Sequence, residues 1–238
     1  MKRHFFVFVL FCLISFFANG QYKVREQDIL FKKHIVRSVP LNHPENIKLF
    51  GNGNTVMLPQ ILLEAFYAGK ITGYQNEMFD MRLTPSTVKM RMQSDGFEGV
   101  KIEIMPEELT LMEVGEDFIF DKHHSEMIIM PVSITLMLPA KNSPRGLLEP
   151  IVSFSYDECL KIFQADQRAK GENPYKLYAT MGYKEIFLSR PYKHEIVKMG
   201  PPDAPYFDQI YQSKTDAYIA RRKEEEKLKE MLYKLGAL

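Results

Sequence analysis

The chain has 238 residues, and its 31 Lys and Arg residues almost balance its 30 Asp and Glu residues. A near-neutral chain lacks the basic surface that marks nucleic-acid-binding proteins, and it has no general electrostatic reason to bind anionic lipid. Its two cysteines, Cys12 and Cys159, exclude a small extracellular fold held together by several disulfides.

The first twenty residues have the pattern of a secretory signal peptide. Residues 2–4 form a basic start, residues 5–18 are apolar except for Ser15, and residues 18–20 (Ala-Asn-Gly) supply the small side chains that signal peptidase reads. The apolar run is shorter than the roughly 20 residues of a membrane-spanning helix. We therefore expect cleavage before Gln21 and export of a chain with no direct membrane insertion.

The cysteines predict neither a lipid anchor nor a nucleophile. Cys12 lies in the middle of the apolar run and follows Phe11, whereas a lipoprotein cysteine follows a small residue. Cys159 falls in an amphipathic helical segment and has no cysteine-protease signature around it, so we expect a buried, inert thiol.

Strand and helix patterns alternate through the first third of the chain. Pro59 stands where a helix tolerates proline, apolar residues follow at helical spacing, and Gly69 ends the pattern. Thr84 is expected to cap a second helix. The predicted elements are a strand over Ile29–Val39, a helix from Pro59, a strand over Ile71–Tyr74 and a helix from Pro85 to Met92.

The centre of the chain predicts a β-hairpin. Its arms, Leu109–Lys122 and Met127–Leu138, are rich in β-branched and aromatic residues. The strand period puts Phe118 and Phe120 on one face of the first arm, which we expect to be buried. Beyond the hairpin the pattern predicts a strand over Pro150–Ser155, a helix over Tyr156–Ala165, a helix over Tyr175–Leu188 that is interrupted near Gly182, and a strand over Tyr192–Met199.

These elements predict an α+β fold, a single domain of strand–helix–strand units around a central β-hairpin with a long C-terminal helix. The predicted divisions are a signal peptide at residues 1–20, a globular domain at 21–205 and the C-terminal helix at 206–238. Strand–helix–strand order occurs in residues 29–74 and again in 150–199, which supports the α+β class.

The C-terminal helix carries two apolar stripes separated by the charged segment Arg221–Lys227. This pattern fits a solvated helix face with ion pairs between residues four apart, and it also fits a helix that docks at its base and projects a tip that binds a partner. We predict that the distal stripe is a partner-binding contact. Its residues are Leu228, Met231, Leu232 and Leu235.

Other polar residues form no convincing catalytic or metal-binding constellation. Asp121, His123, His124 and Glu126 are the best metal-like cluster, but adjacent histidines on a strand point to opposite faces, and a solvated turn explains them better. The other histidines, His34, His43 and His194, are isolated in the sequence, and the adjacent acids Glu116 and Asp117 are expected at a solvated strand end. The usual nucleophile-elbow, zinc-protease, P-loop and dinucleotide-binding motifs are absent from the sequence.

Two classes of function follow. The first is a non-catalytic structural or assembly protein with no metal, cofactor or catalytic residue. The alternative is a periplasmic enzyme or small-ligand-binding protein with a cleft between the two α+β halves.

Several passages resemble the GldN/PorN family of the type IX secretion and gliding-motility machinery. The resemblance covers nearly the whole mature chain. The passages that carry it are D-I-L-F-K-K-H-I-V-R-S-V-P-L-N (28–42), L-L-E-A-F-Y-A-G-K-I-T-G-Y (62–74), G-E-D-F-I-F-D-K (115–122), P-I-V-S-F-S-Y-D-E-C (150–159) and Y-K-E-I-F-L-S-R (183–190).

The resemblance implies a periplasmic subunit that associates with the outer membrane through a partner. It implies self-association into a large ring together with an outer-membrane lipoprotein of the same machinery. It also implies contact with the periplasmic part of an inner-membrane motor protein.

Overall fold

The structure is a computed structural model that describes residues 24–52, 55–95, 100–143, 145–170 and 181–234. The predicted signal peptide and its cleavage site lie outside the described residues. The strands are β1 (Ile29–Pro40), β2 (Gly51–Asn52), β3 (Thr55–Val56), β4 (Gly73–Tyr74), β5 (Gln93–Asp95), β6 (Lys101–Glu103), β7 (Leu111–Asp121), β8 (Glu126–Leu138), β9 (Glu149–Ser155) and β10 (Glu195–Met199). The helices are α1 (Ile47–Phe50), α2 (Leu58–Tyr67), α3 (Pro85–Arg91), α4 (Tyr156–Ala165), α5 (Tyr183–Ser189), α6 (Phe207–Ile210) and α7 (Lys214–Lys234).

Six strands form one antiparallel sheet in the order β10-β1-β7-β8-β9-β4. The predicted central hairpin is confirmed as β7 and β8, and the α+β class is confirmed with it. The predicted cap of α3 is present as well, because Thr84 Oγ1 accepts a hydrogen bond from the Thr87 amide at 3.2 Å.

The two halves expected to flank a cleft instead share this sheet. β1 and β4 come from the first half, β9 and β10 from the second, and β1 pairs with β10 while β4 pairs with β9. Strands of the two halves are therefore hydrogen-bonded neighbours, and the described residues offer no division at which the expected cleft could open.

The register separates two faces of the sheet. The pairs Lys33–Phe118, Ile35–Glu116 and Val39–Met112 lie on one face, which we call the helix face, because paired residues in antiparallel strands share a face. The residues between them lie on the opposite face, which we call the loop face. Its pairs along β1 and β7 are His34–Asp117, Val36–Gly115 and Ser38–Glu113.

Two apolar clusters lie on the helix face. The first is the larger and packs α2, α4 and α5 against the sheet, with Phe50, Phe66, Phe154 and Phe187 among its buried residues. The second lies under α6 and α7. Its buried members are Ile35, Phe118, Ile196, Phe207, Ala217 and Leu228. The predicted burial of Phe118 is therefore confirmed, whereas Phe120 on the same arm is only partly buried.

The C-terminal region differs from the predicted continuous helix. Residues 211–213 interrupt it between α6 and α7, and Ser213 caps the second helix, since its Oγ accepts the Asp216 amide at 3.1 Å. A hydroxyl at this position satisfies a helix N-terminal amide that lacks an intrahelical partner, which favours a new start there. None of the described helices is long and apolar enough to span a bilayer.

A second, two-stranded sheet was not predicted. β5 pairs with β6 through Gln93–Glu103 and Asp95–Lys101. All three residues of β6 are exposed, so the hairpin carries no periodic buried face that a sequence pattern could reveal.

Candidate partner-binding surface

Helix α7 lies along the sheet rather than projecting from it. Leu228, the first residue of the predicted distal stripe, is only 5% exposed and belongs to the second cluster. The expectation that the segment beyond Arg221–Lys227 stays away from the core is wrong. Leu228 faces the sheet, so its side chain is committed to the protein's own core.

The rest of the distal stripe is divided. Met231 and Leu232 are partly exposed at the end of α7, and Leu235 lies outside the described residues. A partner contact through Met231, Leu232 and Leu235 stays a prediction.

Ion pairs hold both sides of α7. Lys33 of β1 lies 3.5 Å from Glu224. On the other side Arg221 pairs with Asp208 of α6 and approaches Glu195 of β10 at 3.5 Å. These contacts explain how a charged segment packs on a sheet: its long side chains reach strand residues at the sides while small or apolar residues face inward.

A groove of about 780 Å³ runs between α6, α7 and the ends of β1 and β10. We call it the α6–α7 groove. Its apolar lining comes from Met199, Phe207, Ile210, Tyr211, Ile219 and Ala220, and its charged lining from Lys33, Asp216, Lys223, Glu224 and Lys227. On α7 these positions follow one helix face, since they recur at spacings of three and four residues.

The apolar residues of this region are unusually exposed. Ile210 is 53% and Ile219 57% exposed in the groove, and Tyr218 is 51% exposed on another side of α7, near Ile196 and Arg221. The first of the two apolar stripes predicted for the C-terminal helix consists of Phe207, Ile210, Tyr211, Ala217 and Tyr218. In the structure Phe207 and Ala217 pack inward while Ile210 and Tyr218 face solvent, and such an apolar surface is typical of a protein contact.

The groove's charged rim is mainly cationic. Glu224 lies near both Lys227 and Lys33, and the hydrogen bond from Lys227 in particular lowers the pKa of its carboxyl group below the ordinary value. Lys223 lies on the same face of α7 and is exposed. The groove therefore combines an apolar floor with an excess of lysines.

The loop face holds a cluster of charged side chains that sequence reasoning missed. His34 Nδ1 donates to Asp117 Oδ1 at 2.8 Å, and its Nε2 lies 3.3 Å from Glu77. Glu77 also accepts a hydrogen bond from Lys198. Tyr206 donates to Glu113 Oε2 at 2.8 Å. We call these six residues the loop-face network.

The pKa shifts in the loop-face network arise from ion pairing at His34 and from burial at Glu113. Burial opposes charge on His34, but its hydrogen bonds to Asp117 and Glu77 prevail and raise its pKa to about 9. Burial also raises the pKa of Glu113 to about 7, although the bond from Tyr206 opposes the shift. A protonated His34 between two carboxylates is an ion-pair partner at neutral pH and a poor general base.

The network fixes two connecting segments to the sheet. Glu77 belongs to residues 75–83, and Tyr206 ends residues 200–206, whose Pro202 carbonyl accepts a 2.6 Å hydrogen bond from Lys198 Nζ. The network joins β1, residues 75–83, β7 and residues 198–206, which are far apart in the sequence. No local spacing therefore predicted that His34 would contact these partners.

A second buried charge cluster separates the two apolar clusters of the helix face. Arg37 Nε donates to Glu116 Oε2 at 2.7 Å, and Arg190 lies 3.8 Å from the same carboxylate. Glu116 is fully buried, so the predicted solvated strand end at Glu116 and Asp117 is wrong. Burial and the two nearby arginines lower the pKa of His194 to about 3, so its neutral Nδ1 accepts from Arg37 Nη1 at 3.2 Å.

The hairpin turn is held by Asp121. Its Oδ1 accepts from the His123 and His124 amides at 2.8 and 3.2 Å, and His124 Nδ1 lies 3.0 Å from Oδ2. A search of the described residues for three or more clustered metal-ligating side chains found no such group. Cys159 is fully buried, and this burial raises the pKa of its thiol, so the predicted burial is confirmed.

Comparison with known proteins supports one family. A search of curated proteins found no match. A protein-family model described as gliding motility associated protein GldN matches residues 24–236, which covers β1 through α7. The chain therefore belongs to the GldN family, whose members are periplasmic components associated with gliding motility and type IX secretion.

Proposed function

We propose that this protein is a non-catalytic structural subunit that forms a periplasmic ring with an outer-membrane lipoprotein of the type IX secretion machinery. Family membership supplies the cellular process. The observation that carries the structural role is the apolar surface of α6 and α7, where Ile210 and Ile219 are more than half exposed beside a groove. An apolar surface of this kind is stabilised when a second protein covers it.

The lipoprotein contact is proposed at the end of α7. Met231 and Leu232 are partly exposed there, one turn beyond the buried Leu228. Truncation after Glu230 removes both residues and keeps Leu228 in the second cluster. We expect the truncated subunit to keep its thermal midpoint but to lose the lipoprotein on co-purification from outer membranes. Glu226→Ala, an exposed change earlier on the helix, should retain the lipoprotein and is the control.

Co-purification of the full-length subunit tests the proposal as a whole. The subunit should elute from solubilised outer membranes in a very large complex with a lipoprotein. Recovery of a small, stable protein without a lipoprotein would contradict the structural role. The same preparation gives the mass of the mature chain, which should begin at Gln21.

The non-catalytic part of the proposal has a separate test. His34→Gln removes the positive charge at the centre of the loop-face network, and Cys159→Ser changes the one thiol of the mature chain. We expect any loss of secretion in either variant to follow its loss of folded, assembled protein. A variant that assembles normally but does not support secretion would favour a catalytic role.

A further inference from the structure

The β5–β6 hairpin is a second exposed apolar surface, and its charge is opposite to that of the α6–α7 groove. Val100, Ile102 and Met105 are 65, 54 and 53% exposed. Glu103 is exposed between them, and Glu107 follows in a 3-10 turn at Pro106–Glu108. Met92 and Ile104, which flank the two strands, are buried in the first cluster, so the core holds the base of the hairpin and leaves these three side chains uncovered.

The α6–α7 groove matches the apolar and acidic side chains of residues 100–108 in polarity and is opposite to them in charge. Its floor is apolar, with Ile210 and Ile219 exposed, and its rim carries three lysines against two carboxylates. Residues 100–108 carry three glutamates and one lysine. Glu108 accepts the Met105 amide at 2.7 Å, whereas Glu103 is exposed and Glu107 is half-buried.

The two surfaces lie at opposite corners of the molecule. The groove includes Met199 of the edge strand β10 and Lys33, which pairs with Phe118 near the hairpin-turn end of β7. The β5–β6 hairpin follows α3, whose Arg91 donates to the Ile151 carbonyl at 2.9 Å. Ile151 lies on β9, near the other edge of the sheet and beside the part of β8 that pairs with the start of β7.

We propose that residues 100–107 of one copy, which comprise β6 and the turn after it, dock in the α6–α7 groove of the next copy. Ile102 and Met105 fill the apolar floor, and Glu103 and Glu107 meet the lysine rim. Because the two surfaces differ and lie at opposite corners, the contact is head-to-tail and leaves one free hairpin and one free groove at the ends of any chain of copies. The inference rests on the proposed ring and names the surfaces that join its neighbouring subunits.

Two variants that each lack one surface test the contact. Ile219→Asp spoils the groove and keeps the hairpin, whereas Ile102→Asp spoils the hairpin and keeps the groove. Each variant alone, expressed as the full chain with the secretion machinery, should give complexes that contain one copy of this subunit. Co-expressed with different tags, they should give complexes with one copy of each, because one intact hairpin meets one intact groove.

Leu188→Asp is the matched control, since Leu188 is an exposed apolar residue on a helix outside both surfaces. This variant should assemble as the wild type does. Thermal midpoints of all variants check that the fold is intact. If Ile219→Asp lowers the midpoint, Ile210→Asp across the groove replaces it.

The outcomes separate the inference from the proposed function. Large complexes formed by either variant alone would overturn the head-to-tail contact, as would single copies in the co-expression. If such variants still co-purify with the lipoprotein, the structural role stands and only the named surfaces are wrong. If the wild type binds no lipoprotein but the two variants complement each other, the contact stands and the proposed partner is wrong.

Discussion

The two faces of the central sheet are built from the same strands and are stabilised in different ways. On the helix face, Met112, Val114 and Phe118 of β7 pack into apolar clusters under helices. On the loop face, Asp117 of the same strand binds His34 of β1, and Glu113 binds Tyr206 of residues 200–206. Apolar burial depends on area and has little directional preference, whereas hydrogen-bonded ion pairs require one geometry.

The loop-face contacts hold segments of the chain that have no regular secondary structure. Residues 75–83 leave Met78 and Met81 exposed, and residues 200–206 include three prolines, so neither segment packs an apolar face as a helix would. Charged contacts from Glu77 and to Pro202 fix them at defined positions instead. Ser133, Thr135 and Ser153 continue the polar surface across β8 and β9, and all three are buried.

The largest expected effect comes from the charge pair that interrupts the apolar face. Arg37→Ala leaves the fully buried Glu116 without its 2.7 Å partner. Breaking a buried ion pair in this way costs about 3–5 kcal/mol of the free energy of unfolding, measured by urea denaturation. Lys33→Ala, which removes the partly exposed pair with Glu224, should cost less than about 1 kcal/mol. Equal losses would mean that Arg190 alone satisfies Glu116.

Phe118 is a central side chain of the apolar helix face. This side chain is 1% exposed in the second cluster and lies under the guanidinium groups of Arg37 and Arg190. Phe118→Ala should lower the free energy of unfolding by about 3–5 kcal/mol, because the deletion leaves a cavity between the sheet and α7. Leu30→Ala removes a mostly exposed side chain and should change stability little. A Phe118→Ala protein as stable as the wild type would show that the second cluster does not hold α7.

The sequence predicted the elements whose signals are local. β1, the β7–β8 hairpin and β9 follow from runs of β-branched residues, and α4 was predicted at its observed bounds of Tyr156 and Ala165. The burial of Phe118 also followed from the pattern, but Ile119 and Asp121 on the opposite face of β7 are buried as well, which strand alternation alone does not predict.

Contacts between distant polar residues could not be predicted in this way. His34 was classed as isolated because its partners, Glu77 and Asp117, lie 43 and 83 positions away in the chain. A charged residue on a strand has the same local pattern whether it meets solvent or a buried partner. The burial of Leu228 was not predicted for a similar reason. The charged residues before it have the pattern of a solvated helix, although α7 lies along the sheet.

The loop face predicts a steric dependence on Gly115. A Cβ at this position would lie 2.3 Å from Ser133 Oγ and 3.0 Å from Glu77 Oε2. Gly115→Ala should therefore lower the free energy of unfolding by about 2 kcal/mol, as over-packing does elsewhere. Ser133→Ala removes the closest atom, so the double variant should regain part of the loss. A double variant that is no more stable than Gly115→Ala would mean that the Glu77 segment is the obstacle.

The effect that depends on pH, and that vanishes in acid, concerns Glu113. Its pKa rises to about 7 because of burial, so between about pH 4.5 and pH 7 the folded protein binds a proton that the unfolded chain has lost. Stability must therefore fall as pH rises through this window and change no further from this group above it.

Glu113→Gln keeps an acceptor for the Tyr206 hydroxyl and cannot ionise. The variant should exceed the wild type at pH 8 by up to about 3 kcal/mol, since each unit of raised pKa corresponds to about 1.4 kcal/mol, and show a flatter slope from pH 5 to 7. His34, whose raised pKa makes its contribution fall between about pH 6.5 and 9, affects both proteins alike. Glu103→Gln, an exposed change on β6, should run parallel to the wild type. Parallel curves for Glu113→Gln as well would show that Glu113 is ionised in the folded protein throughout, and that the loop face tolerates the charge.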